Sequence, residues 1–268
     1  MPLTPSPKMP VLFLGHGSPM NVITDNPYRE AWRVLGTQFG TRWPRPRLIL
    51  CVSAHWLTHG WWLTGQAQPR TIHDFGGFPQ ELFAQQYPAP GAPGEATQIS
   101  ALLADVPVGI DAREWGYDHG SWGVLKPMFP QADIPVLQLS LNWDAPPADH
   151  LALGRRLRPL RELGVLVVAS GNTVHNLRAM RREATGFDAY DWAIEFDTRI
   201  AQAIERGDPD ALADFQGMGD IARLAHPSYD HYLPLLHAAG AAEPGEAAEF
   251  FSADFQGASV AMRSVVWG

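Results

Sequence analysis

Four histidines sit where an apolar run gives way to a turn. They are His16 in VLFLGHGSPM, His55 in LILCVSAHW, His175 in VLVVASGNTVH and His231 in HPSYDHYLPLL. The first three share one grammar: an aliphatic run, a few small or polar residues, then the imidazole. Such runs are strand material, and the carboxyl ends of strands in an open α/β sheet line the crevice where ligands bind. Neutral imidazole is the commonest protein ligand for a divalent transition metal. The pattern predicts a mononuclear metal site in a cleft, assembled from distant parts of the chain.

The neighbours of these histidines are small enough for sharp turns and close ligand approach. Gly15 and Gly17 flank His16, Ser53 and Ala54 precede His55, and Ser170, Gly171 and Asn172 lead towards His175. A ligating imidazole needs an acceptor for its second ring nitrogen. Ser18, Asn172, Asn176 and Asp230 are candidates for that task. His226 and His231 share the segment HPSYDH, and Pro227 disfavours one continuous helix through both. His231 opens the apolar stretch YLPLLHAAG and is expected to face the site, with His226 in a loop. His119 in YDHGSW reads equally as part of a turn with Asp118 and Gly120 or as an acid/base group. His73 lies in TIHDFGGFP, a loop suited to a lid, whereas His59, His150 and His237 read as surface or packing residues. Trp56, Trp115 and Trp122 are placed to wall an aromatic pocket.

The elements that must position these groups follow from hydrophobic patterning. Strands are predicted over 11–15, 48–53, 61–64, 106–110, 134–139, 164–169 and 259–266. Helices are predicted over 28–39, 80–86, 95–104, 148–163, 190–205 and 232–239, with a short one ending at Phe129. Their alternation predicts a single α/β domain over residues 10–268 with helices on both faces of the sheet, preceded by a flexible tail over residues 1–9. The chain has 268 residues, 46% of them hydrophobic, enough for one large core. A net charge of −8 with no Lys/Arg block argues against a nucleic-acid partner. No apolar stretch approaches the roughly 18–20 residues that span a bilayer. The one cysteine, Cys51, lies inside LILCVSA and reads as a small buried hydrophobe. That usage, with a polar, Pro-rich start, suits a cytoplasmic protein. No G-x-S-x-G, P-loop, G-x-G-x-x-G or H-E-x-x-H pattern occurs.

Taken in order, GHGSPM, SAHW, TIHDFGGFP, WGYDHGSWGVL, SGNTVHNL and DHYLPLL resemble the class III extradiol ring-cleavage dioxygenases, closest to the branch that includes DOPA 4,5-dioxygenase. The resemblance runs from about Met9 to the C-terminus. It implies a single α/β domain with a central mixed sheet and a metal at the strand ends. It also implies His16, His55 and His231 as metal ligands. His175 matches the family's active-site histidine, an acid/base that in zinc-bound relatives comes close enough to be a fourth ligand. His119 matches a histidine that stabilises bound oxygen or the catecholate. Protocatechuate-type members use two His and one Glu, whereas the matching position in DHYLPLL is His231. Fe(II) is expected for activity, and the all-imidazole set also suits Zn(II).

The resulting expectation is an oxidoreductase that inserts O2 into a small aromatic diol, DOPA-like, beside its two hydroxyls. His175 would move the catechol proton and His119 would donate a hydrogen bond to developing negative charge. Two other readings keep the same histidines: a zinc-dependent hydrolase and a non-catalytic binding protein.

Overall fold

The continuous apolar runs are the strands of one large sheet, buried on both faces. The computed structural model describes residues 3–268. Its strands are Val11–Gly15 (β1), Leu48–Thr58 (β2), Trp61–Thr64 (β3), Val108–Asp111 (β4), Val136–Asn142 (β5), Val165–Gly171 (β6), Thr185–Gly186 (β7), Ala248–Phe251 (β8), Phe255–Gln256 (β9), Val260–Ala261 (β10) and Ser264–Trp267 (β11). Eight of them form a mixed sheet in the order β4-β3-β5-β2-β6-β1-β11-β8, and β10-β9-β7 form a small second sheet. The centre, β5-β2-β6-β1, is parallel; β3 against β5, β1 against β11 and β11 against β8 are antiparallel.

Alternate residues of each central strand enter different cores. Val11, Phe13, Leu50, Val52, Val165 and Val167 face one side, while Leu12, Leu14, Ile49, Cys51, Leu166 and Val168 face the other. Both faces are apolar, so the strands read as unbroken hydrophobic runs rather than as alternation. The first side is covered by Pro93–Leu102, Pro147–Leu157, Asp191–Glu205 and Leu233–Ala241. The second is covered by Pro27–Thr37 and His119–Met128, through Trp32, Leu35, Trp122 and Leu125. The expected α/β architecture with helices on both faces is what forms.

Several expected boundaries shift for physical reasons. The strand expected to stop at Ser53 continues to Thr58. His55 is therefore inside β2 and not in a turn beyond it. Its pairing with β5 changes register between Val52 opposite Leu139 and Leu57 opposite Leu141, and such irregularities re-aim side chains. The single last strand expected over 259–266 is two short strands in different sheets. His119 is the first residue of a helix, capped by Asp118, whose side chain accepts from the Ser121 amide. Residues 3–9 of the expected flexible tail are tied down: Leu3 N donates to Gln98, Ser6 N to Glu162 O and Met9 N to Arg161 O, and Met9 is fully buried. The first two residues of that tail lie outside the described residues.

His150 and His237 are packing residues, as expected, but of an unusual kind. His150 Nε2 donates to Asn142 O at 3.2 Å, so its Nδ1 accepts from His237 Nε2 at 3.0 Å. Trp61 packs edge-on against both rings. Burial pushes His150 down to about 4, and burial with His150 nearby holds His237 well below the usual imidazole value of 6.5. Both rings stay neutral in the fold, whereas the unfolded chain takes up their protons near pH 6.5. Their contribution to stability is complete above that pH and is lost as pH falls towards 4, with His150 alone accounting for roughly 3 kcal/mol. Urea unfolding at about pH 7.5 and about pH 5 should show a smaller acid loss for the His150→Phe, His237→Leu double variant than for the parent. Equal losses would remove the pair as a source of acid sensitivity.

Candidate active site

Three adjacent parallel strands deliver the cluster to one edge of the sheet. Gly15 of β1 lies opposite Gly171 of β6, and Ser53 of β2 lies opposite Ser170 of β6. His16 follows β1 directly, with its amide bonded to Gly171 O at 3.2 Å. Gly17 turns the chain away at φ +57°, a left-handed value that favours glycine. His231 is brought alongside by its carbonyl, which accepts from Asn172 N at 2.8 Å. The rings of His16, His55 and His231 form a nearly equilateral triangle, with centroid separations of 5.1, 5.2 and 5.0 Å. Each offers a ring nitrogen within 4.8 Å of the others.

Polar contacts on the far side of each ring bear on which nitrogen faces inward: hydrogen bonds at His16 and His231, and an ion-pair contact at His55. Ser170 Oγ donates to Gly120 O, so it accepts from His16 Nδ1 at 3.1 Å. His231 Nδ1 donates to Asp230 at 2.6 Å, and His55 Nδ1 lies 2.9 Å from Asp74. His16 and His231 then present an Nε2 lone pair to the centre, and His55 does so with its proton on Nδ1, beside Asp74. The Nε2 atoms of His16 and His55 stand 3.2 Å apart. Two nitrogens each about 2.1 Å from one ion, at an angle of roughly 100°, are separated by about this distance. Burial and the neighbouring histidines hold His16 and His231 well below the usual imidazole value, which keeps them neutral and ready to ligate. Burial also acts against protonation of His55, but its contact with Asp74, supported by Asp118 and Asp230, holds it above the usual value. This donor set fits a divalent metal ion.

His175 and His119 stand beside the trio. His175 is stacked on His231, with ring centroids 3.5 Å apart and planes 2° from parallel. Burial pushes it down to about 4, so it is a neutral base at physiological pH. The loop that carries it is anchored by Thr173, which donates to buried Asp197, itself gripped by Arg263. His119 packs 4.0 Å from the His55 ring and contacts Asp74 through Nδ1 at 3.0 Å. Gly120 permits this approach, because a Cβ there would meet Ser53 Oγ at 2.4 Å and His55 Cδ2 at 2.8 Å.

Asp74 is the residue that sequence reasoning missed. The loop TIHDFGGFP stands out in sequence for His73, yet the His73 ring bonds to Gln85 O while its neighbour Asp74 joins the cluster. Of the acceptors expected for the second ring nitrogens, Asp230 takes that of His231. Ser18 instead caps a short turn, Asn172 Nδ2 donates to Ala261 O, and Asn176 caps the turn after His175. His226 is buried against Phe196, Phe215 and Tyr232 and bonds to Thr173 O, away from the trio. Trp56 and Trp115 are stacked at 5.8 Å, whereas Trp122 is buried in the core with its Nε1 on Ile72 O. Cys51 is equally buried, its thiol pushed up to about 12, which makes it inert.

Residues 10–262 match the family described as the catalytic LigB subunit of aromatic ring-opening dioxygenase. The chain is 46% identical over 242 residues to 4,5-DOPA dioxygenase extradiol of Escherichia coli (strain K12), spanning 88% of this chain and 86% of the relative. It is 34% identical over 252 residues to the protein of that name from Beta vulgaris, spanning 91% of each. The crystal structure of an uncharacterized Escherichia coli K12 protein superposes with a TM-score of 0.83 at 39% identity, covering 97% of this chain and all of the other. The chain belongs to the LigB family of aromatic ring-opening dioxygenases and is an oxidoreductase that cleaves an aromatic ring in the extradiol manner.

Proposed function

We propose that the substrate is a DOPA-like catechol, and that Fe(II) held by His16, His55 and His231 is the metal. The convergence of three imidazole nitrogens, with Nδ1 hydrogen-bonded at His16 and His231 and lying beside the Asp74 carboxylate at His55, carries the metal part of this reading. The names of the relatives carry the substrate part. Zn(II) suits the same ligands but has one oxidation state, so oxygen chemistry at this site calls for iron. The lone cysteine, buried and unreactive, suits a reducing cytoplasm.

Fe(II) held there would supply a redox-active centre that relays electrons from the catechol to O2 and ends the cycle unchanged. The protein's part is proton handling and positioning. Three neutral ligands leave the site about one unit more positive than a two-His, one-carboxylate set, which favours a doubly deprotonated catechol. His175, neutral and stacked on a ligand, takes a hydroxyl proton as the catechol binds and returns one as the ring opens. That role fits its stacking better than a fourth place on the ion. His119 has its Nδ1 hydrogen committed to Asp74, so its neutral form offers Nε2 as an acceptor and only its imidazolium donates there. Both oxygen atoms enter the product, a ring-opened semialdehyde, and no other reductant is consumed.

Protein loaded anaerobically with Fe(II) and then given DOPA and air should turn yellow and consume one O2 per catechol. Loaded protein that leaves DOPA and simpler catechols untouched would overturn the reading. His231→Ala should lose stoichiometric metal along with turnover. His175→Ala should keep its metal and lose kcat by roughly 100- to 10,000-fold. Elemental analysis beside kinetics checks the pair, and a metal-free His175→Ala protein would make that residue a ligand.

A further inference from the structure

Asp74 touches two histidines at once, one with each carboxylate oxygen. Its Oδ2 lies 2.9 Å from His55 Nδ1; its Oδ1 lies 3.0 Å from His119 Nδ1 and accepts the His119 backbone amide at 2.9 Å. The loop that presents it is firmly held. Ile72 N donates to Tyr117 O, Trp122 Nε1 donates to Ile72 O, and Phe75 packs edge-on against His119. A carboxylate is the one small side chain that accepts on both ends; an amide must turn a donor towards one of the two imidazoles.

We propose that Asp74 is a positioning residue for ring cleavage, a single carboxylate that fixes the Nδ1–H tautomer of both His55 and His119. It would thereby hold the His55 Nε2 lone pair towards the metal and leave the His119 Nε2 as the working atom. The proposal rests on the three-histidine metal reading, but it adds a link between metal affinity and the acid/base group that the ligand set alone does not contain. Outer carboxylates of this kind orient metal-bound imidazoles and strengthen them as donors. Here the same carboxylate also serves an imidazole outside the ligand trio.

The test combines Zn(II) titration against a competing chelator with nitrogen NMR of the imidazoles. Zinc binding by the parent should fall by roughly 10- to 100-fold in Asp74→Asn. It should stay near the parent value in His119→Ala, and Asp74→Asn, His119→Ala should match Asp74→Asn. With metal saturating, Asp74→Asn should still turn over more slowly than the parent, and Asp74→Glu should recover part of both losses. In the parent, with and without Zn(II), His119 should carry its proton on Nδ1. Unchanged zinc affinity in a folded Asp74→Asn protein, or a neutral His119 protonated on Nε2 in the parent, would overturn the proposal. Failure of the parent to bind zinc, or unchanged binding in His231→Ala, would instead overturn the metal reading. The tautomer measurement judges Asp74 in either case and needs no variant to fold.

Discussion

Lone pairs do not gather unless something is meant to sit among them. Three imidazoles directing Nε2 into one buried spot, two of them 3.2 Å apart, repel unless a proton or cation lies between. The arrangement persists because each ring is held from behind, by Ser170, Asp74 or Asp230. Those contacts favour a proton on Nδ1 of each ring, which would leave the Nε2 atoms available to a cation. Burial reinforces the choice by disfavouring protonated rings at His16 and His231.

The sheet supplies the framework. Because β1, β2 and β6 run parallel side by side, their carboxyl ends meet at one edge, and side chains far apart in sequence arrive together. Ser170, at the end of β6, ties this edge to the helix starting at His119 by bonding both His16 and Gly120 O. Asp118 closes that corner. It accepts from Ser53 Oγ, Ser121 N, Gln138 Nε2 and Trp115 Nε1, joining β2, β5 and the helix start around one buried carboxylate. His55 and His119 thus ride on a strand and a capped helix, and His16 directly follows a strand; such elements hold tighter tolerances than loops alone.

Much of this was legible in the chain because strand cores are written locally. Unbroken aliphatic runs reveal strands buried on both faces, and the small residues after them reveal where the backbone turns. His16, His55 and His175 could be singled out on those grounds, and His231 by the apolar stretch it opens. The placement of His55 within β2 could not, because the register shift that re-aims it depends on pairing with β5, more than eighty residues away. Asp74 was hidden for a related reason. A carboxylate in a Gly-rich loop is ordinary as sequence, and only the fold brings that loop against the helix at His119. The two-strand ending around 260 shares this cause: Met262 O and Ser264 form a local kink that patterning does not encode.

The charge arrangement bears on what an all-imidazole cluster would offer a divalent metal. A carboxylate ligand would place a negative charge directly on the ion and reduce its pull on a catechol dianion. Here Asp74 and Asp230 sit one imidazole further out, behind His55 and His231. From there they would strengthen those rings as donors through Nδ1 without taking a position on a bound ion. A bound ion would keep its attraction for a catechol dianion, while the carboxylates would keep the cluster from being a buried excess of positive charge. Negative charge has been moved outward by the width of a ring, to where it orients the ligands and, at Asp74, reaches His119 as well.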